Sequence, residues 1–467
     1  MPPRGRKRQR VESESESEPE PEPRQSFTSP DPSSPEVLEQ EEARPPFYNT
    51  TFSTHRVSPL YVGKQPLNRQ RLQTLSQRLR EILVGDVVRG VEVGLGRADG
   101  EDGVMGRAGA LEYVDIRWVS MGTVLDITSS DQHESDEDDE DTTRTDLDWS
   151  ALVEQLQDKK ALHILLRYEA AECTALLLPS SSDQQPETST TQFVLSNSQP
   201  TSPPNPTHFL SLPLLLLRMP VPLKTIMADF LSTTFDCRVS SLRLGTRSLV
   251  QSWESWIRTA GLAERGPLAK DMVLNLGFYI PPLDKGNTHK ENAPDATAAA
   301  GEDKERSGQE PLGIKGVDVI IPAAELGRFV RAGKQLDGDK AKEKEKGNSK
   351  EKPTWETDVK KRRKLAGRLG EEGWEWRTIV SGDNETEEGQ QQSPFTEALG
   401  RYVDKHLGLN LFHPGVRVTK IACGGFVMSE GRLKVFAPRE GGQRQKAAVW
   451  KLVSGLVGKA EGGKALM

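Results

Sequence analysis

The sequence is short of apolar residues. Only 34% of the 467 residues are hydrophobic and 6% aromatic, against about 45–50% apolar in an ordinary globular chain. Much of it therefore cannot bury enough surface to offset the entropy of ordering. No run of about 18 apolar residues occurs, which excludes a membrane-spanning helix of the usual kind. The first residues are charged and proline-rich, with no apolar signal core, so secretion is not expected. The three cysteines (Cys173, Cys237, Cys423) are far apart and match no disulfide or metal spacing. No Walker lysine follows Gly94, Gly96 and Gly100, whose spacing is not G-x-G-x-x-G; a hairpin connection explains them better than a phosphate loop.

Catalytic patterns are missing as well. The seven histidines (His55, His133, His163, His208, His289, His406 and His413) are scattered, and none stands in H-E-x-x-H or beside a candidate nucleophile. Cys237 lies in an alternating segment and should pack as a small apolar side chain. Cys423, before Gly424 and Gly425, is expected to be solvent-accessible, but it lacks a base. The sequence therefore predicts no enzyme, no metal site, no cofactor, no membrane contact and no small-molecule substrate.

What is present is strongly partitioned charge. Residues 11–42 hold eleven acids and one base, and residues 131–148 ten acids and one base. Basic charge gathers at Arg4–Arg10 and at Lys360, Lys361, Arg362, Arg363 and Lys364. That last cluster fits either a nuclear localisation signal or non-specific contact with DNA phosphates. Charge runs of this kind can equally be solvated tails. Arg238 and Arg243, five apart on one alternating segment, should point to opposite faces and cannot line one groove without a bulge. Ser13, Ser15 and Ser17 precede glutamates, and Ser29, Ser34, Ser58, Ser202 and Ser393 precede prolines, which makes them phosphorylation candidates.

Composition divides the chain as follows. Residues 1–44 form a disordered tail. Residues 45–283 form an N-terminal α+β region with disordered insertions at 128–147 and 180–206. Residues 284–311 are a linker, 312–333 a short ordered segment, 334–392 a charged linker, and 393–467 a C-terminal α+β region. Helical spacing marks 67–83 (Leu72, Leu75, Leu79, Leu83), with Gly85 as its stop, and also 149–156, 222–231, 246–260, 394–407 and 445–457. Strand patterns mark 47–52, 86–95, 111–120, 123–127, 161–168, 173–178, 237–244, 272–280, 416–422, 425–428 and 432–436. Trp374 and Trp376 mark one further strand. The fold class expected is α+β: largely antiparallel curved sheet flanked by helices, with long disordered insertions.

Several of these stretches, taken together, resemble the centromere protein L (CENP-L) family in its fungal form. They are Phe47–Phe52 with Arg56–Tyr61, Gly85–Val93, Leu217–Leu231, Phe235–Leu244 and Pro414–Phe436. The resemblance implies a non-enzymatic subunit of the inner kinetochore, in the constitutive centromere-associated network of the nucleus. It implies pairing with centromere protein N through strands near the C-terminus. The pair would form a basic-lined vault beside the centromeric nucleosome and its linker DNA. Centromere protein C and the H–I–K–M subcomplex would be neighbours. On that reading Val416, Val418, Phe426, Met428, Leu433 and Val435 are the partner-binding candidates, through an edge left open by the C-terminal strands. From the residues alone, the same strands could instead pair only within this chain. The alternative function is a nuclear DNA- or RNA-binding protein acting through its basic disordered segments.

Overall fold

The computed structural model describes residues 45–88, 109–127, 149–180, 208–262, 269–279, 314–344, 374, 393–438 and 442–462. In chain order these residues form β1 (Thr51–Val57), β2 (Leu60–Tyr61), α1 (Arg69–Val88), β3 (Leu111–Ser120), α2 (Met121–Val124) and α3 (Trp149–Asp158). There follow β4 (Lys160–Tyr168), β5 (Glu172–Leu178), β6 (Phe209–Leu210), β7 (Leu214–Arg218), α4 (Val221–Phe235), β8 (Val239–Ser241) and α5 (Thr246–Ala260). The last are β9 (Met272–Phe278), β10 (Gly316–Ile321), α6 (Ala323–Lys344), α7 (Pro394–Leu407), β11 (Val416–Ala422), β12 (Phe426–Ser429), β13 (Arg432–Val435) and α8 (Gln443–Glu461). The glycines at 94, 96 and 100, the acidic insertion, Trp376 and Lys360–Lys364 lie outside the described residues.

Eleven strands make one open antiparallel sheet. Its order is β10-β9-β11-β12-β13-β1-β7-β5-β4-β3, with β8 beside β1. Strands from both halves of the chain share this sheet, because β1 pairs with β13 through Phe52 opposite Leu433. A separate two-stranded ribbon joins β2 to β6.

The burial patterns explain why the two halves of the sheet read differently in sequence. β4, β5 and β7 are nearly continuous apolar runs, and nearly every residue in them is buried. They are covered on both faces. One face packs on α1 and α4 through Leu79, Leu83, Phe230 and Leu231. The other belongs to the core shared with α3, α5, α7 and α8. By contrast β9, β11, β12 and β13 alternate between buried and partly exposed residues. Their buried positions (Leu274, Val418, Met428, Leu433) all face the α5, α7 and α8 side. Period-2 alternation is the mark of a sheet with one wet face.

Local chemistry fixes the helix ends. Asn68 accepts a hydrogen bond from the Arg71 N–H at 2.9 Å and starts α1. Pro222 stands in the first turn of α4. α7 ends at Gly408, whose φ of +63° is the left-handed conformation glycine adopts without strain.

Several expectations are corrected. Gly85 does not stop α1, which runs on through residues 86–88, so no strand begins there. Residues 121–124 are a helical turn capped by the Ser120 hydroxyl, not a strand. Residues 334–344, expected as the start of a linker, continue α6 to Lys344. Trp374 is buried in the helix-side core but belongs to no strand. Cys423 is buried, not accessible, and its thiol donates to the Phe426 carbonyl.

Candidate functional site

The two ends of the open sheet differ in chemistry. β3 at one end carries Glu112, Asp115 and Arg117 and a register irregularity between Leu111 and Tyr113. Charges and bulges are the usual means of blunting a free edge. β10 at the other end reads Gly-Val-Asp-Val-Ile-Ile and is regular along its whole pairing with β9. Among the described residues β9 is its only strand partner.

Register decides which backbone groups of β10 face outward. The Phe278 N–H donates to the Lys315 carbonyl at 3.1 Å, and Gly316 lies opposite Gly277. In an antiparallel ladder bonded pairs alternate, so Val317, Val319 and Ile321 bond to β9. The N–H and C=O groups of Gly316, Asp318 and Ile320 therefore point to the open side. The Ile320 side chain is 61% exposed, and Ile314 just before the strand is 70% exposed. An apolar residue exposed on a regular, unbulged edge is a site for strand addition.

The second feature is the sheet face opposite α5, α7 and α8. Following the registers inward from β10, Asp318 lies opposite Asn275, Asn275 opposite Lys420, Lys420 opposite Ser429, and Ser429 opposite Arg432. The next row joins Ile320, Val273, Ala422, Val427 and Lys434. All of these are exposed or half-buried, and the described helices at this end pack on the other face. Arg243 joins them, since its neighbours Leu242 and Leu244 are buried in the helix-side core. Lys434 and Lys270 both approach the Phe436 ring, at 5.3 and 4.9 Å. The face thus carries one polar row and one mostly apolar row, with Arg243, Lys420, Arg432 and Lys434 as cations on it and Asp318 at its rim.

A hydrogen-bonded chain ties the rim to the centre. β11 bulges between Val418 and Lys420. The Thr419 hydroxyl donates to Asn275, and the Asn275 amide donates to Asp318. On the helix side the Val418 N–H donates to the Thr246 hydroxyl at 3.1 Å. The bulge is thereby satisfied on both faces.

The residues named from sequence as partner contacts lie elsewhere. Val416, Val418, Phe426, Met428, Leu433 and Val435 are each at most 3% exposed and fill this chain's own core. β11 is flanked by β9 and β12, and β13 by β12 and β1, so no C-terminal strand has an open side. The reason is long-range pairing: β9 and β10, drawn from the middle of the chain, add on beyond β11, and the N-terminal β1 closes against β13. Alternation in the sequence shows which residues are buried but not which strand covers them. The exposed Val-Ile pattern at 317–321 was the available signal for the edge.

Reactive chemistry is muted. Burial pushes the thiols of Cys173, Cys237 and Cys423 up to about 11. Among the described residues no group of His, Cys, Asp and Glu is placed to hold a metal ion, and no helix is long and apolar enough to cross a membrane.

The family model for centromere protein L matches residues 46–461. The chain belongs to the centromere protein L family. That match spans β1 to the end of α8, including the uncovered face and both edges. No curated protein matches the chain in sequence. The family is one of structural kinetochore proteins rather than enzymes, and membership makes this a kinetochore protein of the centromere.

Proposed function

We propose that this centromere protein L family member is the half of a heterodimer that centromere protein N completes by adding a strand to β10. The pair belongs to the constitutive centromere-associated network in the nucleus, with centromere protein C and the H–I–K–M subcomplex as neighbours. The uncovered basic face, carrying Arg243, Lys420, Arg432 and Lys434, lies toward the phosphates of centromeric DNA. The observation that carries this reading is the contrast between the edges: β3 is charged and bulged, whereas β10 offers outward backbone groups beside an exposed Ile320.

The test is co-expression with centromere protein N followed by gel filtration. Ile320→Lys puts a charge on the open edge without touching the ladder to β9. It should separate the two proteins while leaving the circular dichroism of this chain unchanged. Co-elution of that variant with its partner at wild-type ratio would overturn the assignment of β10. Charged substitutions at Phe426 or Val435 are no substitute, because those side chains are core and their loss unfolds the sheet.

A further inference from the structure

We infer that the shared end of β1 and β8 binds an extended peptide carrying one phosphoserine or phosphothreonine, with Arg56 and Arg238 holding the phosphate. The inference does not depend on strand addition at β10.

The registers bring the two cations together. Arg56 lies opposite Ser240 and Val57 opposite Val239, and the Ser58 N–H donates to the Arg238 carbonyl at 3.0 Å. Val57 and Val239 pack into the core against α1 and α4. Successive side chains of a strand alternate in face, so Arg56, Ser58, Arg238 and Ser240 share the opposite face. Arg56 and Arg238 are diagonal cross-strand neighbours there, roughly 7–8 Å apart at the backbone, and their long side chains reach one tetrahedral anion between them. Arg238 and Ser240 are exposed, and Arg56 is half-buried.

The spot is rich in donors, and no acid neutralises it. Among the described residues neither guanidinium makes an ion pair or a hydrogen bond, and Arg56 Nε is shut away from water without a partner. Asp236, two residues before Arg238, makes no ion pair with it. The Ser58 hydroxyl accepts from the Arg238 N–H at 2.9 Å, which leaves its own proton for a ligand. A buried N–H is costly until an oxygen accepts it. A phosphomonoester carries a charge of about −1.5 to −2 at pH 7, which matches two guanidiniums, and each guanidinium fork grips phosphate oxygens in pairs.

Two observations favour a peptide over nucleic acid. The cations stop at two. Their neighbours on the same face are Thr54, buried and bonded to the Leu242 carbonyl, and the buried Leu214 and Leu242, whereas a duplex is held by a line of cations along many phosphates. β8 also has a free side, because among the described residues its only strand partner is β1. The Leu242 N–H donates to the Thr54 carbonyl. The bonded pairs of this ladder are therefore Thr54 with Leu242, Arg56 with Ser240 and Ser58 with Arg238, and the backbone groups of Val239 and Ser241 point outward. An extended peptide pairs with those groups about 4.8 Å from β8 and sets its phosphorylated side chain on the arginine face.

The test is fluorescence anisotropy of the full chain with a labelled peptide pool, randomised around one fixed phosphoserine, and with the same pool carrying serine. The phosphorylated pool should bind about tenfold more tightly, the worth of one charge-assisted contact. Arg56→Gln with Arg238→Gln should abolish that preference and leave the circular dichroism unchanged. Arg238→Gln alone, at an exposed position, should already reduce it. Ser241→Pro removes an outward N–H that the ladder to β1 does not use and should weaken binding of the phosphorylated pool. Equal binding of the two pools, or a preference that survives the arginine changes, would overturn the inference. Inorganic phosphate competing as well as the phosphorylated pool would reduce the site to an adventitious ion only. Duplex DNA binding that falls with the arginine changes, while Ser241→Pro leaves the pool unaffected, would make the site a nucleic-acid contact and sink the peptide.

Discussion

Glu254 on α5 and Thr396 at the start of α7 are 142 residues apart and joined twice: Glu254 Oε1 accepts from the Thr396 N–H at 2.9 Å and from its hydroxyl at 2.7 Å. Ser393, at the N-cap position, makes no capping bond of its own. The carboxylate of another helix therefore satisfies the first turn of α7 and meets its positive dipole end. Glu254 is only 4% exposed. Burial pushes its carboxyl up, opposed by the Thr396 bonds and by Arg258. The contact matters beyond α7. Phe395 packs edge-on against Trp253 at 5.5 Å and against Phe329 of α6 at 5.7 Å. α6 begins one residue after β10, so the cap anchors the helices that hold the edge strand in place.

Replacing Glu254 distinguishes a cap from mere packing. Glu254→Gln keeps an acceptor oxygen and should stay within about 1 kcal/mol of wild type. Glu254→Leu strands the Thr396 N–H and hydroxyl and should cost about 2–3 kcal/mol. Urea unfolding with an unchanged m-value is the measurement. Equal losses for the two variants would show that the hydrogen bonds are not what holds α7.

Two glycines of α6 make an internally controlled pair. A Cβ at Gly333 would run into the Pro394 carbonyl at the start of α7, whereas one at Gly327 meets nothing within 4 Å. Alanine is favoured over glycine in a helix by about 1 kcal/mol. Gly327→Ala should therefore stabilise by roughly that amount. Gly333→Ala should destabilise by about 1–3 kcal/mol and weaken the strand addition proposed for β10. Stabilisation by both substitutions would mean that α6 does not sit this close to α7.

How much was legible beforehand follows from the range of each interaction. Helices with a clean stripe and explicit ends could be read, such as α5 between Gly245 and Gly261 and α7 between Pro394 and Gly408. So could the C-terminal strands, because Phe426, Met428, Leu433 and Val435 alternate. Their neighbours could not. The pairing of Phe52 with Leu433 and of Ile421 with Leu274 spans long separations, and nothing local encodes it. The open edge is not locally encoded either, since edge status belongs to the sheet and not to a strand. Cys423 looked accessible beside two glycines. Those glycines instead permit close packing: Gly425 lies against the Trp256 ring. The Glu254 cap had no sequence signature, because a carboxylate inside an amphipathic helix normally reads as its wet face.

His163 on β4 is 1% exposed, and neither ring nitrogen has a hydrogen-bond partner. Burial, reinforced by Arg117, lowers its pKa to about 4. The unfolded chain takes up this proton near 6.5. Between those values the unfolded state binds more protons, so stability is full above pH 6.5 and falls as pH drops toward 4, by about 3 kcal/mol in all. His163→Leu should raise stability at pH 7 by removing two unsatisfied nitrogens and should flatten the acid slope. A residual slope from His55 and His413, both lowered by burial, should remain. An unchanged slope in the variant would mean that His163 is not buried as a neutral ring.

The basic face makes a prediction about salt. Each phosphate neutralised by a lysine or arginine contributes about 0.9 to the slope of log affinity against log salt. Lys420 on β11 and Arg432 and Lys434 on β13 flank the short β12, exposed or half-buried. Changing all three to Gln should lower the slope by about 2.7 if each meets a phosphate. Because such contacts position the protein without reading bases, affinity should fall equally for duplexes of unrelated sequence. The fold should be indifferent, since none of the three is in the core. The measurement is fluorescence anisotropy of the chain, with the proposed partner present, on a labelled duplex across a salt series. An unchanged slope would place DNA on another surface.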